Sequence, residues 1–226
     1  MSSGWREEKK RITRDAIVDA ALALFARDGY DAVTMADVAR AAGVGERTVY
    51  RYVADKEDIL FVDDAVLRAA LADSLRAQPR ERSVPEALRV AAREVGAVLA
   101  DDWPRLAARA AVIAETPALQ ARERLKQDGW RDLVAAELTS RGVPAERARL
   151  HGAVVVACFA EALARCLDGT ADDLPAAITT TLGEVGGVVT PEPADEDPDR
   201  DRGRNPGTTG VGPGGPGPPP AAGSTP

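Results

Sequence analysis

Apolar residues begin to recur at Ile12 and continue at Ala16, Ile17, Ala20, Ala21, Leu24 and Phe25, three and four positions apart, which describes one face of a helix. Thr13 is placed to cap it, Asp15 suits the positive end of its dipole and Gly29 suits a left-handed stop, so a first helix is predicted over residues 13 to 28. Thr34 with Asp37 three residues later forms a capping-box pattern, Asp standing in for Glu, ahead of a two-turn helix over 35–42. Gly43-Val44-Gly45 makes a tight break and a second short helix follows over 46–52, so the pair predicts a helix-turn-helix unit.

The helical pattern continues beyond it. Asp55 caps a predicted helix with Lys56-Glu57 in its first turn, running through Ile59, Leu60, Val66, Leu67 and Leu71 to residue 77. Ser83-Val84-Pro85-Glu86 opens another, to residue 100, and a further helix is expected over 103–115. Thr116-Pro117 starts a long helix carrying Leu119, Leu125, Trp130, Leu133, Val134 and Leu138, which Gly142 ends. Pro144 begins the next, apolar almost all round from Ala153 to Ala160, a pattern that calls for burial on every side, either in a core or at a subunit interface. The last helix is expected over 172–188. Residues 190–202 are acidic and interrupted by Pro, and 203–226 hold eight Gly and seven Pro, so this tail is expected to be disordered for want of an apolar face to offset ordering entropy.

Composition fits helices packed through small residues: 45% of the 226 residues are apolar, only 4% are aromatic, and alanine is abundant. The fold class expected is all-α, divided into a flexible amino-terminal arm (1–11), a helix-turn-helix domain (12–56), a larger helical domain (57–189) and the tail (190–226). Cys158 and Cys166 lie eight residues apart on one predicted helix, about 12 Å along its axis, too far to bridge. With one histidine there is no Cys/His metal set, no metal or cofactor is expected, and the chain suits a reducing interior. The start MSSGWREEKKR lacks the apolar stretch of a signal peptide, and the run from Ala153 to Ala160 is far short of a membrane span, so a cytoplasmic protein without a membrane partner is expected.

Net charge is −7, unfavourable for binding a polyanion, but it is unevenly distributed. Residues 1–56 carry ten basic and nine acidic groups, residues 57–189 sixteen and twenty-one, and residues 190–226 three and six. Only the amino-terminal quarter is thus net positive, with Arg6, Lys9, Lys10, Arg11 and Arg14 clustered at its start. No nucleophile, base and orienting group can be assembled around His151, and the Gly-rich tail lacks phosphate-loop spacing, so no enzyme is expected. A lone histidine near a helix start reads as structural or solvated.

The stretch GVGERTVYRYVADKEDI crowds two tyrosines, two arginines and a lysine onto a short helix, amphipathic side chains suited to touching a partner. Together with helix one ending in F-x-x-x-G-Y, then V-T-x-x-x-V-A, A-G-V, T-V-Y-R-Y and D-K-E, residues 12–60 resemble the DNA-binding region of the tetracycline-repressor (TetR) family. The resemblance implies that the second short helix enters a DNA major groove, with Arg47 facing guanine, Thr48 offering its hydroxyl or methyl, and Glu46 accepting from a cytosine amino group. Tyr50, Tyr52 and Lys56 match the family's phosphate-contacting positions, with Thr34 at the preceding helix start; Gly45 permits close backbone approach, and Arg51 belongs to the same DNA-facing set. Tyr50 or Tyr52 can instead simply cover helix one. Val49 should face inward with Val38, Ala39, Leu24 and Phe25. Gly45 stands where the family commonly has Ser or Thr, and Val53 where Phe is frequent.

For residues 60–189 the resemblance implies a helical domain that dimerises through its last two helices and encloses a small-molecule pocket; the apolar helix at 153–160 fits such an interface, or an intrachain core. A-x-x-A-E-T-P-A-L-Q-A-R-E and W-R-D-L-V-A-A-E-L-x-x-R resemble a regulator subgroup associated with mycofactocin genes, whose ligands are acyl-CoA-like. Trp103, Trp130 and Phe159 are the candidate apolar walls and Arg105 or Arg109 the candidate partner of an anionic group, with ordinary core packing the alternative for the aromatics. The function expected is a dimeric regulator of double-stranded DNA, a repressor released from a palindromic operator by a small-molecule inducer. The alternatives are an activator or a helical ligand-binding scaffold.

Overall fold

The computed structural model describes residues 2–189, whose regular elements are all helices joined by turns and short loops. In chain order they are α1 (Ser2–Asp28), α2 (Met35–Ala41), α3 (Glu46–Val49), α4 (Asp58–Phe61), α5 (Asp64–Ala77), α6 (Val84–Ala100), α7 (Trp103–Glu115), α8 (Pro117–Ser140), α9 (Ala145–Leu167) and α10 (Leu174–Val189). The predicted tail, 190–226, lies outside the described residues.

Most helix starts follow the local signals. Thr34 Oγ1 accepts from the Asp37 N–H at 3.2 Å while Asp37 Oδ2 accepts from the Thr34 N–H at 3.0 Å, a reciprocal capping box in which the shorter Asp reaches back as Glu would. Ser83 accepts from the Glu86 N–H, and Asp102 from that of Arg105, with Pro in the first turn of both α6 and α7. Gly43 sits at φ +67°, the left-handed conformation needed to turn α2 into α3, whereas Gly45 has ordinary extended geometry and serves as a cap without a side chain.

Three boundaries depart from expectation. The arm expected to be flexible is helical from Ser2, and Thr13, expected to cap, lies inside α1 with its hydroxyl donating to the Lys9 carbonyl at 2.9 Å. Arg11 explains part of this, pairing with Glu8 at 2.6 Å and Asp15 at 3.2 Å, three and four residues away. Helix α3 closes after one turn, and Arg51 and Tyr52 continue as tighter turns, their N–H groups donating to Thr48 and Val49 carbonyls at 3.2 and 2.8 Å. The helix expected from Asp55 to residue 77 is broken at Val62-Asp63 into α4 and α5, where Asp63 meets Arg14 of α1 at 3.3 Å. The N-cap of α4 is Glu57 and not Asp55, whose carboxylate accepts from the Asp58 N–H at 2.7 Å from two residues before the cap.

Two cores organise the helices. The first joins Ile17, Leu24 and Phe25 of α1, Val38 and Ala39 of α2, Val49 of α3, Val53, and Ile59 and Leu60 of α4 to Val112 and Ile113 of α7 and Leu119 of α8. Val49 is fully buried there, and Val53 is buried despite being smaller than Phe. The second core packs α5, α6, α8, α9 and α10 around Leu75, Leu138, Ala148 and Ile178. Helix α9 passes close to α8 at Gly152, where an added Cβ would stand 2.5 Å from the Arg131 carbonyl oxygen.

Within the single chain α9 is buried on one face only, so the intrachain-core alternative does not account for its whole apolar surface. The helix turns Ala148, Gly152, Val155, Cys158 and Ala162 inward, but Leu150, Ala153, Ala157 and Ala160 are exposed in the single chain. Among the described residues α9 is also the one helix long and apolar enough, by length and composition, to cross a membrane, and its inward face packs on α8 and α10.

Candidate nucleic-acid interface and ligand cavity

The first core leaves one surface of the helix-turn-helix free. Because Val49 is driven inward, Glu46, Arg47 and Tyr50 are turned outward beside exposed Gly45, Arg51 and Thr34, and Tyr50 retains 50% exposure. Thr48 is half-buried. Tyr52 also packs against the first core, beneath the Arg51 guanidinium at 5.3 Å, so the reading that a tyrosine covers the bundle applies to Tyr52 and not to Tyr50. Lys56, grouped by sequence with the phosphate contacts, is half-buried and donates to the carbonyls of Tyr30 at 2.7 Å and Val33 at 3.0 Å, its ammonium 4.1 Å from the Tyr30 ring. Two of its three N–H groups thus hold the turn that leads into Thr34. Burial, with Glu57 and Asp55 nearby, pushes the Tyr30 phenol up to about 12.

Helices α5 to α9 line a partly open cavity of about 290 Å³. Its walls are mainly apolar: Leu67 and Leu71, Val95 and Leu99, Leu106 and Ile113, Trp130 and Val134, Val155, Phe159 and Leu163. Of the candidate ligand residues, Arg109, Trp130 and Phe159 are among those lining it; Trp103 and Arg105 are not, and their placement on this wall is corrected. Trp103 packs against the second core. Arg105, one turn from Arg109, is drawn instead to α1, pairing with Asp19 at 2.7 Å and Asp15 at 3.6 Å, and with Asp102 at 3.2 Å.

The charged part of the wall also includes two residues not foreseen, Glu123 and Lys126. Arg109 donates to Glu123 at 3.0 Å and Lys126 to both oxygens of Glu123 at 3.2 Å. Burial raises the Glu123 pKa, but Lys126 and Arg109 outweigh it and hold the carboxyl below its usual range; burial, then the Arg109 charge, lowers that of Lys126. A signal was available: Leu119, Glu123, Lys126, Trp130 and Val134 share one helix face, so two charges interrupt an apolar stripe. Trp130 is fixed against this wall by its Nε1–H donating to Asp64 at 2.7 Å. His151, half-buried on α9, is not among the cavity's lining residues.

Between cavity and DNA-facing surface lies a joint. Phe61 of α4 has the cations of Arg109, Arg122 and Lys126 at 5.5, 5.4 and 5.7 Å from its ring centre. Arg122 of α8 also pairs with Asp55 at 3.4 Å, Glu57 at 3.1 Å and Asp58, the turn that follows the recognition helix.

A helix-turn-helix with an exposed second helix, carried on a helical body with an apolar cavity, defines a DNA-binding transcriptional regulator. Residues 17–62 match the family described as bacterial regulatory proteins, tetR family, and residues 82–189 match the MftR C-terminal domain. Over 133 residues the chain is 33% identical to a Mycobacterium tuberculosis protein assigned as the mycofactocin biosynthesis transcriptional regulator MftR, covering 59% of this chain and 67% of that one. Its fold is similar to the fatty acid degradation regulator FadR of Bacillus halodurans (24% identity, 77% of this chain and 95% of that one, TM-score 0.56). It is also similar to the FadR repressor of Thermus thermophilus, solved with lauroyl-CoA (22% identity, 80% and 97%, TM-score 0.54). The chain belongs to the tetR family of bacterial regulatory proteins, transcriptional regulators and not enzymes.

Proposed function

We propose that the protein is a homodimeric repressor that leaves a palindromic operator when an elongated, largely apolar small molecule fills the cavity. The observation that carries this reading is Ile113, which lines the cavity and also belongs to the core of the helix-turn-helix bundle. A ligand that displaces Ile113 must disturb the packing under the recognition helix, because close-packed interiors transmit strain. The coupling is reciprocal: operator binding weakens the ligand by the factor that ligand weakens the operator.

In this reading residues 12–56 form the DNA-binding domain and 57–189 the ligand and dimer domain. Arg47, Thr48 and Glu46 select bases, while Tyr50, Arg51, Thr34 and the backbone at Gly45 meet phosphates. Tyr52 and Lys56 act mainly by holding that surface in shape, as their packing and carbonyl contacts support. Exposed Ala153, Ala157 and Ala160 of α9, beside exposed Ala176, Thr180 and Gly183 of α10, offer a small-residue surface for a second copy. Two recognition helices on one dimer would meet major grooves about 34 Å apart. Such a protein works in the cytoplasm, where the chromosome is. The lauroyl-CoA bound by the Thermus relative supports an acyl-chain-like occupant for the apolar walls.

The test is selection of bound duplexes from a random pool, then titration of the best one against salt with and without candidate ligands. A palindromic site whose affinity falls steeply with salt and whose complex ligand dissolves is the expected result. Ligand-free protein that enriches no sequence would point to a ligand-binding scaffold; a complex that ligand tightens would point to an activator.

A further inference from the structure

The cavity holds more positive charge than its own side chains balance. Arg109, Glu123 and Lys126 are the ionisable groups in its wall, two cations to one carboxylate, with side chains only 19%, 23% and 17% exposed. Neighbouring acids act on the cluster only from outside the cavity wall. Asp64 favours the Lys126 charge but also faces Arg68 at 4.0 Å and accepts from Trp130, and Asp55, Glu57 and Asp58 are engaged by Arg122. Arg109 Nε is buried with no hydrogen-bond partner; Arg14 and Arg131 share that feature but do not line the cavity. A buried, unpaired donor on a cation is an unfavourable arrangement that an anion would relieve.

Resting on the reading of this cavity as the ligand site, we propose that the cluster is the head-group site for an aliphatic monocarboxylate, received by Arg109 and Lys126 with its chain along Leu71, Val95, Trp130, Val155 and Phe159. One negative charge matches the excess of one, whereas a phosphate ester would carry more. The neutral carbonyl of a thioester would leave the excess unbalanced. A cavity of about 290 Å³ stands at the low end of the roughly 300–1,000 Å³ of small-molecule pockets, room for a chain and a compact head. Burial, then the Arg109 charge, lowers the Lys126 pKa, and an arriving carboxylate would favour the charged amine.

The test follows tryptophan fluorescence or heat on titrating the full chain with dodecanoate, 1-dodecanol, dodecyl phosphate and lauroyl-CoA. Dodecanoate should bind the unaltered protein at least about tenfold more tightly than each of the others. Lys126→Met and Arg109→Leu should each remove most of the margin over dodecanol without weakening dodecanol itself. Equal binding of dodecanol and dodecanoate, tighter binding of lauroyl-CoA or dodecyl phosphate, or no binding of dodecanoate would overturn the proposal, and these comparisons need no variant to fold. Operator release reports separately. Dodecanoate that binds with this preference but leaves the selected operator occupied refutes the repressor reading and retains the site. Release by lauroyl-CoA with no preference for carboxylate does the reverse.

Discussion

Arg122→Ala should weaken communication between cavity and operator more than it weakens the fold. The guanidinium joins α8 to Asp55, Glu57 and Asp58, and it lies next in the chain to Glu123 in the cavity wall. Its side chain is 30% exposed and its partners 55%, 38% and 30%, so solvent screens each pair. At roughly 0.2–1 kcal/mol for each exposed pair, three pairs sharing one guanidinium contribute about 1–2 kcal/mol. In a chain of this size that corresponds to a melting temperature lower by about 2–8 °C. The coupling is a different quantity: if the clasp carries ligand-induced movement of α8 to the turn after α3, its removal should cut the ligand's effect on operator affinity by up to about tenfold, the equivalent of 1.4 kcal/mol. Fluorescence anisotropy of a labelled operator, with and without saturating ligand, measures that ratio; thermal unfolding measures the stability. A variant with lowered melting temperature and an unchanged ratio would reduce Arg122 to a staple and refute its role in transmission.

Gly152→Ala should destabilise by about 1–3 kcal/mol, since its Cβ would meet the Arg131 backbone oxygen, which cannot rotate away; thermal melts check this, and an unchanged melting temperature would disprove the close approach. Asp37→Asn should flatten part of the acid limb of stability. Hydrogen bonds from the Thr34 hydroxyl, then its N–H, hold the Asp37 pKa below the usual range, so its stabilisation is present at neutral pH and fades as pH falls from about 4 through the lower folded value. The melting-temperature gap between the two proteins should therefore narrow in acid; a gap constant with pH would contradict it. Arg47→Ala should leave the melting temperature unchanged and lose about 1–3 kcal/mol of discrimination at one base position, read by repeating the duplex selection. A uniform loss across sequences would make Arg47 a phosphate contact.

Helix starts that depend on neighbours in the chain were legible: the Thr34 and Asp37 box, Ser83 before α6, the bounds of α7, and Pro117 at the head of α8 all act within four residues. What depends on distant partners was not. The break between α4 and α5 comes where Asp63 meets Arg14, nearly fifty positions earlier, and nothing near Val62 announces it. Arg105 and Arg109 are one turn apart and chemically identical, yet one meets the acids of α1 and the other the cavity, a distinction made by how α7 crosses α1. The apolar pattern of α9 called for burial but could not say which face packs inside the chain, and Leu150, Ala153, Ala157 and Ala160 are exposed while Val155 and Cys158 are buried.

Lys56 carries the same lesson into function. A cation beside Tyr50 and Arg51 matches a phosphate contact by sequence, but its bonds go to carbonyls 26 and 23 residues back. These two roles predict different losses. A lysine that only neutralised phosphate would, as Lys56→Met, weaken all DNA sequences alike, flatten the salt dependence by about one unit of slope and spare the fold. A lysine that secures the turn before Thr34 leaves two carbonyls without their partner, so Lys56→Met should cost about 1–3 kcal/mol of stability. It should also disturb every contact that depends on α2, with little change in salt slope. Thermal melts and salt titrations on the same variant separate the two, and a normal melting temperature with a reduced slope would return Lys56 to the phosphate-contacting set.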